Sequence, residues 1–411
     1  MAQAASALRD GHQIQLLQGS LEYFPALIAA MDQARSEVRL ETYIFDFTGD
    51  GAQVAEALIR AARRGVTTWV VVDGVGTGAL PEGWQQRFDT AGVQWRVYSP
   101  LGTLGLLIPS RWRRLHRKLC VIDGRLAFCG GINILDDFHD PQHGTLQHPR
   151  LDFAVCASGA LVQQAQEATA QLWWRIQSVR NVRQHDFPHA FSALRTAGVH
   201  LPWERDSRDA GLDGRPAVHA GLLLRDNLLN RSKIERAYRK AIGNARQEIL
   251  IANAYFLPGR KLRKALIHAA RRGVKVRLLL QGRYEYFMQF HASRPVYGAL
   301  LAAGVEIHEY TASFLHAKVA VIDAATAHPW ATVGSSNLDP LSLLLAREAN
   351  VVVEDAPFAA GLRVRLLHAM AHESRAVAAA DYAHRPLGQR VKERIALGLM
   401  RFALFLSGKR Y

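Results

Sequence analysis

Lysine is scarce in this chain, and its few positions are informative. Of 51 Lys and Arg residues only nine are lysine, and Lys118 alone falls within the first 232 positions. A general preference for arginine explains the background but not this exception. A lysine kept two residues from a histidine reads as a choice of a compact ammonium group. Cysteine is rare too. Cys120, Cys129 and Cys156 are the three present, too few for a disulfide framework and not spaced as a CxxC metal knuckle. Cys120 and Cys129 fall in strand-like apolar runs, which suits buried thiols in a reducing compartment. No window reaches the ~18 apolar residues of a spanning helix, and residues 1–19 lack the basic-then-apolar pattern of a secretory leader. A cytosolic protein, peripheral to a membrane, is expected. Acidic residues are in deficit, 36 against 51 basic ones, leaving a net charge of +15. That balance favours polyanionic surroundings, either nucleic acid or an anionic membrane face, without choosing between them. With 49% hydrophobic and 21% charged residues over 411 positions, the chain is a globular protein with room for two or three domains.

What is present is a repeat. His116-Arg117-Lys118, four residues and Asp123 recur as His316-Ala317-Lys318, four residues and Asp323. Each block is followed by Gly-x-x-Asn, at Gly130 to Asn133 and at Gly334 to Asn337. The similarity extends upstream. Ala34-Arg35-x-Glu37-Val38 leads to Tyr43-Ile44-Phe45, as Ala245-Arg246-x-Glu248-Ile249 leads to Tyr255-Phe256. Ala61-Ala62-Arg63-Arg64-Gly65-Val66 matches Ala269-Ala270-Arg271-Arg272-Gly273-Val274, and Ala91-Gly92-Val93 matches Ala303-Gly304-Val305.

Helical stretches such as 51–64 and 260–272 end at a glycine, a C-cap signal. Short Val/Leu/Ile runs between helices indicate a sheet covered on both faces. The expected fold is α/β, a sandwich used twice. The boundaries are a first lobe at 1–195, a linker at 196–216 rich in Gly, Pro and charge, a second lobe at 217–384 and a tail at 385–411. In the tail, Leu387, Val391, Ile395, Leu399, Phe402 and Leu406 form an apolar stripe at helical spacing, with Arg390, Arg394 and Arg401 off it. That is the pattern of an interfacial membrane helix; a helix docked on the core is the alternative. Residues 101–114, apolar and then Trp112 and arginines, suit a headgroup boundary or a loop over the site.

In a strand, residues i and i+2 face the same way, so His116 projects with Lys118 and His316 with Lys318. Asp123 and Asp323 have the opposite parity. Asp123-Gly124 is a hairpin-turn signal, and both aspartates read as turn-shaping residues. Asn133 and Asn337 follow the return strands and can come back beside the histidines. Two His, two Lys and two Asn suit a phosphodiester. Ammonium groups and amide donors hold the non-bridging oxygens. One neutral imidazole attacks phosphorus while the other, protonated, gives a proton to the leaving oxygen. No metal or cofactor is needed, because the lysines supply the positive charge. Asp152 and Glu348, each opening a strand after its motif, are candidates to orient the imidazoles; which acid serves which histidine is open, and pairing with the adjacent arginines is the alternative. His139, His143 and His148 share a polar loop with Asp136, Asp137 and Asp140, but no spacing there is diagnostic of a metal.

The paired His-x-Lys-x4-Asp blocks with trailing Gly-x-x-Asn resemble the phospholipase D superfamily. The resemblance covers residues 13–380. The first block is especially similar to bacterial cardiolipin synthases of the short type without N-terminal spanning helices. It implies two phospholipase D-like lobes packed as a pseudo-dimer with a C-terminal amphipathic helix. It also implies a metal-independent phosphatidyltransferase making cardiolipin from phosphatidylglycerol. In the implied catalytic set of His116, Lys118, Asp123, His316, Lys318 and Asp323, His116 is the nucleophile and His316 the general acid/base. Lys118, Asn133, Lys318 and Asn337 bind phosphate. Anionic phospholipids and a membrane surface, at the cytoplasmic face of the bacterial inner membrane, are the implied partners, with no nucleic acid. The alternative is hydrolysis by the same groups, of lipid or nucleic acid. Arg283, Tyr284, Tyr286 and Phe287 are the one hint of a strand-binding groove. The second block departs in one respect, a lengthened turn at 324–330.

Overall fold

The computed structural model describes residues 8–100, 102, 112–140, 143–184, 186–197, 212, 214–226, 230, 232–283, 287–339, 346–383 and 386–406. Two compact units emerge. The first comprises Met1–Asp136 and Ala154–Leu222, the second Asp137–Phe153 and Leu223–Tyr411. The proposed linker at 196–216 and the 101–114 segment lie largely outside the described residues.

In the first unit, β1 (Ile14–Gln18), α1 (Gly19–Gln33), β2 (Glu37–Thr42), α2 (Gly49–Arg63), β3 (Thr67–Asp73), α3 (Glu82–Ala91) and β4 (Gln94–Tyr98) come first. The hairpin of β5 (Lys118–Ile122) and β6 (Leu126–Gly130) follows, then β7 (Phe153–Ala157), α4 (Ala160–Arg183) and α5 (Phe187–Ala197). The sheet order is β1-β7-β6-β5-β2-β3-β4. Strands β2, β3 and β4 are parallel, and β5 joins them antiparallel to β2. Every residue of β5 is buried, as expected of a central strand covered on both faces.

The second unit repeats this plan. It holds α6 (Lys233–Asn244), β8 (Glu248–Asn253), α7 (Arg260–Arg271), β9 (Lys275–Gln281), α8 (Phe287–Leu301) and β10 (Glu306–Tyr310). Then come β11 (Lys318–Ile322), β12 (Trp330–Gly334), β13 (Ala346–Glu354), α9 (Ala356–His372), β14 (Ser374–Ala376) and α10 (Leu387–Leu406). The order β13-β12-β11-β8-β9-β10-β14 matches the first sheet strand for strand over six positions. Helices α2 and α7 end alike. Gly65 and Gly273 take φ of +87° and +89°. Val66 N and Val274 N reach back to the carbonyls of Ala61 and Ala269 at 3.2 and 3.1 Å, the hydrogen bonding of a glycine C-cap.

The lengthened second turn leaves its strands intact: β11 and β12 each span five residues, as β5 and β6 do. Both turns open on an aspartate in the left-handed region, Asp123 at φ +52° and Asp323 at +53°. The motif glycine of the second copy has a packing cause as well. A Cβ at Gly334 would run into the Asn350 amide. Among the described residues, no helix is long and apolar enough to cross a membrane.

Candidate active site

Each His-x-Lys block sits where the central antiparallel strand begins. In the first unit the approach to it is fixed by Asp73, fully buried at the end of β3. Its carboxylate accepts from Leu115 N at 2.8 Å and pairs with Arg114 at 3.1 Å. In the second unit Gln281, the equivalent end residue of β9, accepts more weakly from Leu315 N at 3.4 Å. Both histidine rings are partly exposed, whereas Lys118 and Lys318 are 2% and 0% exposed. Lys118 Nζ donates to the His116 carbonyl at 2.8 Å, and Lys318 Nζ donates likewise to the His316 carbonyl. A buried ammonium must be partnered. Here one partner is the backbone carbonyl two residues back.

Asp123 and Asp323 lie at the other end of their strands, away from the histidines. The Asp123 carboxylate takes the backbone N–H groups of Arg35, Ser36 and Glu37 at 2.8 to 2.9 Å. Asp323 takes those of Arg246, Gln247 and Glu248 at the same distances. Each aspartate therefore staples its hairpin turn to the start of β2 or β8. Burial alone would push the Asp123 carboxyl up, but these N–H donors and the Ser36 hydroxyl outweigh it and hold it below the usual value. Asn133 and Asn337 return to the far ends of the same two strands. Their side-chain carbonyls accept from Ile44 N at 3.2 Å and Tyr255 N at 3.4 Å. With the carbonyl so used, the NH2 is the group each can turn toward an anion.

Asp152 answers the question of orientation for one histidine. Its carboxylate meets His316 Nδ1 at 2.7 Å, and the carboxylate is 3% exposed. Backbone pairing sets this up. Leu151 and Leu315 form a parallel bridge, with Leu151 N donating to Phe314 O at 3.0 Å and His316 N to Leu151 O at 2.9 Å. The register of the sheets makes Asp152 and Glu348 equivalent. Ala154 faces Gly130 as Asn350 faces Gly334, so each acid lies two residues before the partner of its motif glycine. Glu348 is fully buried and accepts from Ser335 Oγ at 2.5 Å.

Several site features have no local signature in the sequence. The Tyr43 ring lies 5.0 Å from the His116 ring, and Lys118 Nζ is 5.4 Å from its centroid, so one aromatic face contacts both groups. Arg117, between them in sequence, is 3% exposed and paired with Glu41, and it donates to Ala168 O at 2.9 Å. The polar histidine loop is tied internally: His143 Nδ1 meets Asp140 at 2.9 Å and Arg150 meets the same carboxylate at 2.7 Å. Among the described residues, no three His, Cys, Asp or Glu side chains form a metal-holding group. Arg283 is engaged with the carbonyls of Thr311 and Ala312 at 3.0 and 2.9 Å, while Tyr284, Tyr286 and the Phe287 side chain lie outside the described residues. The three cysteines are buried and unbridged. Burial pushes the Cys156 thiol up to about 12.

The model of the cardiolipin synthase, PLD-like domain family matches residues 27–145 and 238–370, one stretch around each His-x-Lys block. The chain belongs to this family. Cardiolipin synthase B of Escherichia coli K12 is 37% identical over 361 residues, covering 87% of this chain and 80% of that protein. A probable cardiolipin synthase of Bacillus subtilis, YwiE, is 28% identical over 387 residues, covering 93% of this chain and 71% of that protein. Among solved structures, a phosphatidylserine synthase of Haemophilus influenzae superposes with a TM-score of 0.66 at 11% identity, over 98% of this chain and 95% of that one. At that identity the likeness concerns the fold alone.

Proposed function

We propose that the protein is a phosphatidyltransferase that makes cardiolipin from phosphatidylglycerol through a covalent phosphatidyl-histidine. The observation that carries this is the doubled His-x-Lys hairpin, with each lysine tied to its own histidine and an oriented imidazole at His316. The 37% identity to a cardiolipin synthase B supports the substrate.

His116 is assigned as the nucleophile. Its imidazole nitrogen forms a bond to phosphorus as the bond from phosphorus to the glycerol oxygen breaks. His316, as imidazolium, gives its Nε2 proton to that oxygen, and glycerol leaves. The now neutral His316 then takes the proton of a hydroxyl on a second phosphatidylglycerol. The hydroxyl oxygen bonds to phosphorus, the P–N bond breaks, and cardiolipin is released. Asp152 suits His316 to this work. By accepting from Nδ1–H it holds the tautomer that presents Nε2 and stabilises the imidazolium between the two steps. Glu348, at the equivalent position, is assigned the same kind of task. Lys118 and Lys318, with the amides of Asn133 and Asn337, hold the non-bridging oxygens as charge develops. Asp123 and Asp323 act through the hairpin rather than on substrate.

The α10 tail is assigned to the membrane surface, at the cytoplasmic face of the inner membrane. Leu387, Val391, Ile395 and Leu399 are all more than half exposed along one line of the helix, while Glu393 and Ala396 face inward. The side chains of Arg390, Arg401, Phe402 and Leu406 lie outside the described residues.

Purified protein incubated with phosphatidylglycerol vesicles and a metal chelator should yield cardiolipin and glycerol in equal amounts. Phosphatidic acid as the sole lipid product would replace transfer by hydrolysis. Cleavage of single-stranded DNA with unchanged lipid would point to a nuclease.

A further inference from the structure

The hairpin of α4 and α5 is assigned no catalytic or phosphate-binding side chain, yet it leaves one side apolar and exposed. Phe187 and Phe191 are 52% and 69% exposed, and Val179 and Val182 are 54% and 47% exposed. The two helices run antiparallel. Ser178 Oγ donates to Ala190 O at 3.0 Å, and nearer the turn Asp186 N donates to Asn181 O at 2.9 Å. Ser178 and Asn181 on α4, and Ala190 and Ala193 on α5, are the buried rows. Val179 and Val182 each follow a buried α4 residue by one position. Phe191 follows Ala190 in the same way, with Phe187 one turn earlier. One position is ~100° of helical rotation, and in an antiparallel pair equal rotations from facing rows bring both sets to the same side. The four side chains thus form one patch.

Its surroundings are basic. Residues 175–196 contain four arginines and a single acid, Asp186, which is held by His189 at 2.9 Å. Arg180 and Arg195 are exposed.

We propose that this hairpin is a docking surface for an anionic phospholipid bilayer. Phe187 and Phe191 enter the headgroup–acyl boundary while Arg180 and Arg195 meet lipid phosphates. The proposal rests on the reading above that the protein works on membrane phospholipid, and it adds a contact separate from α10. Charge selects this occupant. A second copy in a two-fold contact would set the same arginines against themselves. An acidic soluble partner would have to add to its acids an apolar pocket shaped for both rings. A bilayer offers an anionic layer and apolar depth in the order the patch requires.

The test is sedimentation with vesicles of phosphatidylglycerol and phosphatidylcholine, and of phosphatidylcholine alone. The combined Phe187→Ser, Phe191→Ser variant should weaken binding to the anionic vesicles by ~10-fold or more, from the apolar area withdrawn. Combined Arg180→Gln, Arg195→Gln should reduce the preference for phosphatidylglycerol. Neither variant should lower turnover of phosphatidylglycerol dispersed in detergent, where docking is not needed. As an independent readout, Phe191→Cys labelled with an environment-sensitive fluorophore should shift to the blue on anionic vesicles; the three native cysteines are buried. Undiminished vesicle binding by the serine variant, an unshifted probe, or a wild type that ignores anionic vesicles would each overturn the proposal. So would a wild-type dimer that the serine variant converts to monomer. If instead wild type makes no cardiolipin in detergent, the functional reading fails while the binding comparison still decides the docking surface.

Discussion

The two copies of the hairpin differ most in buried charge. In the first, Glu41 and Arg117 pair in the core, and Asp73 pairs with Arg114 at the entry to the histidine. Strand register places Ala252 where Glu41 stands and Gln281 where Asp73 stands. The repeat likewise puts Ala317 for Arg117 and Phe314 for Arg114. In both cases acid and base are exchanged together. Physical chemistry favours such paired exchanges: a buried charge that loses its partner is strongly destabilising, while a well-packed neutral pair is often as good as the ion pair. What stays constant between the copies is the histidine, the lysine on its carbonyl, the aspartate staple and the asparagine. The constant set is the one that chemistry or turn geometry requires.

The comparison is broken most directly at the histidines. If the copies contribute different steps to one reaction, His116→Ala and His316→Ala should each lower turnover by on the order of 10³-fold or more. A variant retaining a tenth of wild-type turnover contradicts that division. It can be sharpened with a phosphatidyl ester of an acidic phenol, whose departure needs no proton. His316→Ala should form the covalent intermediate from that ester, and His116→Ala should not.

Next in size is the ion pair. Arg117→Ala should destabilise the first unit by ~3–5 kcal/mol, because it leaves the Glu41 carboxylate buried and unpaired. Combining it with Glu41→Ala, which copies the second half, should recover most of that loss. Denaturant melts of the four proteins in the cycle measure it, and additive effects would mean the two side chains are not coupled.

The smallest effect belongs to the staples. Asp123→Asn and Asp323→Asn should each cost ~1–3 kcal/mol, since the amide replaces one accepting oxygen with a donor. For Asp123 a pH signature follows. Its folded carboxyl titrates below the ordinary 3.8, so its stabilisation is complete above the unfolded value and fades as pH falls through the lower folded one. The stability gap between wild type and Asp123→Asn should hold steady from neutral pH down to ~5 and shrink as the pH falls below the ordinary carboxylate value. A gap that persists at lower pH would show that the ionised carboxylate is not what matters.

Much of this was legible in the residues. Alternation along a strand placed each lysine with its histidine, and opposite parity set Asp123 and Asp323 apart as turn residues. Glycines after Arg64 and Arg272 marked two helix ends, and the repeat itself implied two matched sheets. Asp152 could be named as an orienting acid, but not its histidine, because a contact across 164 positions is set by the Leu151–Leu315 bridge rather than by local spacing. Tyr43 was visible as part of a repeated apolar run, yet its place against His116 depends on how β2 ends. The apolar side of the α4–α5 hairpin was hidden for a different reason: periodicity marks which residues share a helix face, not whether anything covers it.

The short segment Asp137–Phe153 has one more implication. It arises within the first repeat and yet folds with the second unit, where it brings the carboxylate to His316. The repeats are therefore not interchangeable cassettes. A gene cut at its midpoint would give a C-terminal fragment that keeps its histidine and lysine but has lost the acid paired with that histidine, so complementary fragments would have to reassociate before it became competent.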